Sequence, residues 1–103
     1  MQLVAGVQMF RAARVDANQK EIVKALRDNG CTVQHLHSIG KGCPDLLVGY
    51  SHNGKPYNLL MEVKDKGGKL TPEQIIWHAG WRGQVAVVTS PEEAIKAVLE
   101  YFK

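Results

Sequence analysis

Apolar residues recur at two different periods along this chain. Ile22, Val23, Ala25 and Leu26 fall at helical spacing and predict a helix over about Ala17–Asn29, with Gly30 as its stop. A second helix is predicted over about Pro72–Arg82, before Gly83. A third is predicted over about Pro91–Phe102, with Ala94, Ile95, Val98, Leu99 and Phe102 on its apolar stripe. Asp16-Ala17-Asn18-Gln19, Thr71-Pro72-Glu73-Gln74 and Ser90-Pro91-Glu92-Glu93 each fit a capping box: an oxygen side chain at N-cap and a Glu or Gln three residues on. Two of them add Pro at the first helical position, where its missing N–H costs nothing.

Between these segments the pattern is that of strands. Cys31–His37, Asp45–Tyr50, Tyr57–Lys64 and Gln84–Thr89 are the predicted four. The second and third form a hairpin across Ser51-His52-Asn53-Gly54. Val85, Ala86, Val87 and Val88 make the fourth apolar enough to be central and buried. The expected order is α-β-β-β-α-β-α, an α/β fold. Residues 1–15 carry no readable pattern and are taken as an N-terminal extension to a single domain over 1–103, with its core at about 16–103.

Composition narrows this little. The 103 residues are 45% hydrophobic and 22% charged, ordinary for a folded domain and unlike a disordered chain. Thirteen Lys and Arg against ten Asp and Glu leave +3, which permits a nucleic-acid partner without requiring one. Two cysteines make no disulfide framework, no secretory segment is visible, and no apolar run reaches the roughly 20 residues of a membrane helix. A soluble intracellular protein is expected, in a bacterial cell or a virus-infected one, with no membrane partner.

The predicted hairpin carries the chemistry. Glu62 and Lys64 share a strand face roughly 6–7 Å apart. Asp45 lies about eight residues before the middle of the Asn53-Gly54 turn, and Glu62 about eight after it. Antiparallel pairing therefore brings the two carboxylates together. They repel unless a cation lies between them, and hard oxygen ligands suit Mg²⁺ or Mn²⁺. Lys64 can stabilise an anion or orient a water.

Pro44-Asp45 and Glu62-Val63-Lys64, joined by a hairpin, resemble the PD-(D/E)XK nuclease superfamily. With Gln19 on a helix, the glycine-rich turn before Pro44, and Lys69-Leu70-Thr71-Pro72-Glu73-Gln74 opening a helix that carries Trp77, the chain looks like the VRR-NUC (virus-type replication-repair nuclease) family over about Asp16 to Val88. The resemblance implies a restriction-endonuclease-like αβββαβ core, a mixed sheet flanked by helices. It implies a metal-dependent DNA endonuclease in which Asp45, Glu62 and the Val63 carbonyl hold the metal and Lys64 positions the attacking water. It further implies Gln19 and Gln74 as active-site helpers. Both have a plain alternative as capping-box residues. Archaeal junction resolvases, relatives in fold, carry a glutamate where Gln19 stands, so a neutral amide would replace a charge.

From size and resemblance, a homodimer acting on branched DNA such as a Holliday junction is expected. The alternatives are a less selective nuclease on duplex, nicked or flap DNA, and a non-catalytic DNA-binding module that kept the fold. Lys41, Lys66 and Lys69, in glycine-rich loops beside the site, are expected phosphate contacts. Trp77 and Trp81 read as core or dimer contacts, and His78 as a partly buried helix histidine. Cys31, His35, His37 and Cys43 match no common structural-zinc spacing, although Cys31, His35 and His37 would share a strand face.

Overall fold

The computed structural model describes residues 17–100. Helix α1 (residues 17–28) leads into strand β1 (Thr32–His35), β2 (Leu46–His52) and β3 (Lys55–Val63). Helix α2 (Pro72–Gly80), strand β4 (Val85–Val88) and helix α3 (Pro91–Glu100) follow. The sheet order is β1-β2-β3-β4, antiparallel for the first three strands and parallel between β3 and β4. This is the mixed α/β architecture expected from the sequence. The Asp16 capping box and Phe102 lie outside the described residues.

The hairpin turn is tighter than the four residues read from the sequence. His52 pairs with Lys55, so Asn53 and Gly54 alone make the turn, at φ +53° and +76°. Both central residues are left-handed, as a turn matched to the right-handed twist of the strands requires, and Asn-Gly is suited to it. This two-residue loop sets the register along the whole ladder, from Tyr50 opposite Tyr57 to Leu46 opposite Met61. Continued by one step, it puts Asp45 across from Glu62.

Alternation then separates two faces. Leu46, Val48, Leu59, Met61, Val63 and Val88 point to one side and are buried there with Ile22, Val23 and Leu26 of α1 and Ala94 and Val98 of α3. The other face carries Leu47, Leu60, Val85 and Val87, and is much less covered. The expectation of a central, buried fourth strand is corrected here. Among the described residues β4 is the sheet's edge, only Val88 is buried, and Val87 is 45% exposed. Its two-sided apolar sequence would suit a strand covered on both faces, but helices cover one. Leu99, expected on the apolar stripe of α3, is likewise exposed.

Helix starts show how side chains anchor these elements. At α2 the capping box is complete: Gln74 N–H donates to Thr71 Oγ1 at 3.2 Å and Thr71 N–H to Gln74 Oε1 at 2.9 Å. At α3 the box is displaced. Glu93 N–H donates to Ser90 Oγ at 3.1 Å, but the Glu93 carboxylate accepts from the N–H and hydroxyl of Thr89 instead (2.6 and 2.9 Å). Those two bonds hold the Glu93 carboxyl below the usual carboxylate range.

The glycine-rich turn leading into β2 is held by shape. Gly40, Lys41 and Gly42 all have positive φ (+70°, +56° and +83°). A Cβ on Gly42 would lie 2.6 Å from the Glu73 carbonyl oxygen and 3.0 Å from Trp77 Cβ, so the turn packs directly on α2. Gly40 has open space. Gly42→Ala is expected to add overpacking of about 1–3 kcal/mol to a left-handed backbone penalty of roughly 1–2 kcal/mol, whereas Gly40→Ala incurs only the second. Thermal unfolding of the two variants measures the difference; equal shifts would refute the close packing.

Candidate active site

Asp45, Glu62, Lys64 and Gln74 meet at one end of the sheet. Asp45 precedes β2, held by the buried Pro44 before it and by a Leu36 N–H bond to its own carbonyl (2.7 Å). Its Oδ2 accepts from the Val63 N–H at 2.9 Å, so its carboxylate closes the ladder beyond Leu46 and Met61. Glu62 sits beside it with 2% exposure, the one charged residue buried among those described. Glu62 Oε2 accepts from Gln74 Nε2 at 3.1 Å and lies 3.7 Å from Lys64 Nζ. Glu62 Oε1 is buried with no hydrogen-bond partner.

This setting disfavours the ionised form of Glu62. Burial first, then the charge of Asp45 and a hydrogen bond to it, push its pKa up to about 7, while Lys64 pulls the other way. Lys64 also acts on His78. Burial and the Lys64 charge lower the His78 pKa, and its buried Nε2 has no partner. Cys43, just upstream of Pro44, is held as a thiol by burial and by the charges of Glu62 and Asp45.

Gln74 fills both expected roles at once. Its oxygen completes the α2 capping box and its amide nitrogen holds Glu62. Gln19 lies on α1, lining a groove whose other wall includes Asp45; its Nε2 is buried without an acceptor. Lys41, Lys66 and Lys69 are exposed on the loops before β2 and after β3, outside the carboxylate cluster. Asn18 escaped the sequence reading. Its Nδ2 donates to the carbonyls of Lys64 and Thr89, both at 3.0 Å, tying α1 to the ends of β3 and β4. An Asn at the start of a helix has no sequence signal for such a bridge, because its two acceptors are 46 and 71 residues away.

The other candidates separate. Cys31 is buried in the core, while His35 and His37 are exposed and β1 ends at His35, so no shared strand face gathers them. Trp77 and Trp81 stack at 4.7 Å between ring centroids, yet no residue of α2 is buried. Their reading as core is thereby corrected: the pair lies on the less covered side, with Trp81 46% exposed.

Among solved structures, one described as a VRR_NUC domain superposes with a TM-score of 0.66 at 29% identity, over 84% of this chain and 96% of that one. The chain is therefore similar to a VRR_NUC domain in fold and over most of its length. No family model matches the sequence, and no curated protein does. The likeness to the VRR_NUC domain is one of fold and structural alignment.

The elevated Glu62 pKa makes a stability prediction. An acid whose folded pKa lies above its unfolded value stabilises the fold at low pH and loses that contribution as pH rises, here from 4.5 through about 7. In chelator, Glu62→Gln is expected to match wild type near pH 4.5 and to exceed it above pH 7, by on the order of 3 kcal/mol. Comparing the two proteins isolates Glu62 from His78, whose lowered pKa acts in the opposite direction. Thermal unfolding across pH checks this; a constant difference between the two would refute it.

Proposed function

We propose that this VRR-NUC domain is a metal-dependent DNA endonuclease that hydrolyses phosphodiester bonds. The observation that carries the reading is the apposed pair Asp45 and Glu62, with one buried Glu62 oxygen left without a partner beside Lys64. Two converging carboxylates and an orphaned oxygen fit a divalent cation. Among the described residues no cluster of three or more His, Cys, Asp or Glu forms, so the donors would be Asp45, Glu62 and the Val63 carbonyl, with water completing the shell. Mg²⁺ and Mn²⁺ take hard oxygen donors, and Mg²⁺ usually retains several waters. When bound, such an ion would lower the pKa of a water and offset charge at the scissile phosphate.

The chain's own residues do the rest. Gln74 holds the Glu62 carboxylate in place from the start of α2. Lys64 Nζ, the second side-chain partner at the same carboxylate, would orient the attacking water and stabilise the anionic phosphate. Water gives up a proton to solvent as its oxygen attacks phosphorus in line, the phosphorus–oxygen bond to the leaving group breaks, and the departing oxygen takes up a proton from solvent; no covalent enzyme intermediate forms. A DNA-binding module without catalysis would have no use for this pair, because carboxylates without a cation repel a phosphate.

Branched DNA such as a Holliday junction, cut by a homodimer, is the preferred substrate in this reading. A two-fold junction calls for two sites. The exposed apolar side chains of Ile75, Ile76, Trp81 and Val87, each between 45% and 74% exposed, support a second copy.

Labelled four-way junction and linear duplex, incubated with Mg²⁺, Mn²⁺ or EDTA, test the activity. Cutting is expected only with metal. Asp45→Asn, Glu62→Gln and Lys64→Ala are each expected to slow it by about 10²-fold or more while DNA binding persists. Cutting in EDTA, or full activity in these variants, would overturn the mechanism; metal-dependent cutting of duplex and junction alike would favour the less selective nuclease. In light scattering, wild type is expected near twice 11.4 kDa and Ile76→Glu near the single-chain mass. A wild-type monomer would rule out the dimer.

A further inference from the structure

A second feature adjoins the carboxylates but uses none of the lysines expected to bind DNA. Between α1 and the end of β1 runs a groove of about 680 Å³, from Arg27 past His35 and His37 to Asp45. Lys20, Lys24 and Arg27 line its α1 wall. We propose that this groove carries the phosphate backbone of one DNA strand up to the Asp45–Glu62 pair. The inference rests on the nuclease reading and gives that site its substrate path.

The charge distribution supports it. Lys20, Lys24 and Arg27 recur every three or four residues, so one face of α1 presents three cations to the groove. Lys20 and Arg27 lie two turns apart, about 10.5 Å along the axis. That spans roughly three phosphates at ~3.4 Å each along a strand. The acidic residues in the groove do not cancel this charge. Asp28 pairs with Lys24 at 2.7 Å, but both side chains are more than half exposed, and such a pair contributes little and yields readily to a phosphate. Asp45 is the other acid, at the inner end, where the cation of the proposed mechanism would sit. Lys20, Lys24 and Arg27 thus outnumber Asp28 along α1, which leaves that wall net positive, and Asp45 is the acid at the reacting end.

Two side chains are already set for the role. Arg27 Nη2 donates to the Val33 carbonyl at 3.3 Å, which leans the guanidinium across the groove towards β1 with further N–H donors to spare. Gln19 Nε2 is buried and lacks an acceptor, and Gln19 lines the groove at the Asp45 end. A buried donor without an acceptor costs free energy that an incoming phosphate oxygen would recover. His35 and His37 stand edge to face, 6.0 Å between centroids, on the opposite wall.

Fluorescence anisotropy with a labelled duplex, in Ca²⁺ to hold back cutting, tests the path. The double variant Lys20→Glu/Arg27→Glu is expected to bind at least about tenfold more weakly. The slope of log K against log salt should fall in magnitude by about 2, one unit per lost phosphate contact. Lys55→Glu/Lys96→Glu, two exposed lysines outside the groove, makes the same change in net charge and is expected to affect binding far less. Circular dichroism confirms that both variants fold. Equal weakening in the two double variants, or an unchanged salt slope in the groove variant, would overturn the path while leaving the nuclease reading standing. A wild type that neither binds nor cuts DNA would overturn both.

Discussion

The β2–β3 register is the constraint on which the rest of this domain depends. Asn53 and Gly54 close the hairpin in two residues with both φ angles positive, and no slip is then available without moving every side chain to the other face. Because the turn is this short, the positions on either side sum to a fixed register, and Asp45 arrives opposite Glu62 at the far end. A one-residue shift of β3 against β2 would turn Leu60 and Glu62 towards α1 and α3 and leave Asp45 on the opposite side of the sheet.

Bringing two acids together at a sheet end has a cost, and the local structure is organised around it. Asp45 is tied down by the Val63 N–H, while Glu62 is nearly fully buried and made reluctant to ionise. Gln74 links this cost to the helix that follows: one amide caps α2 through its oxygen and holds Glu62 through its nitrogen. Asn18 does the corresponding work from α1, bridging the ends of β3 and β4. The site is therefore held by polar bonds from the starts of two helices. Its apolar support comes from the other face of the sheet, where the core lies.

That division explains the two surfaces left over. Helices α1 and α3 cover one sheet face, so apolar side chains of β4 and α2 remain exposed, and these are the ones the proposed dimer would bury. The outer side of α1 is free of core duties, and its lysines and Arg27 turn to the groove that ends at Asp45. In the proposed reading the two surfaces serve different ends of one reaction, one holding two sites together and the other guiding a strand into each.

The order of elements, the hairpin and the pairing of Asp45 with Glu62 were legible in the sequence because each rests on local pattern: period, turn chemistry, and counting outward from Asn53-Gly54. The double use of Gln74 was legible only as two separate possibilities, since its distance from Glu62 depends on how α2 docks. Three features came from tertiary structure alone. Val87 is exposed on an edge strand because the described residues cover that face much less than the other, although its sequence would suit burial. Asn18 bridges carbonyls far along the chain, which no local spacing encodes. The groove exists because α1 packs beside β1, bringing cations from one segment alongside a carboxylate from another. Periodicity and turns are properties of neighbouring residues and so can be read along the chain; coverage, long-range polar bridges and grooves are properties of packed surfaces and arise only when the elements meet.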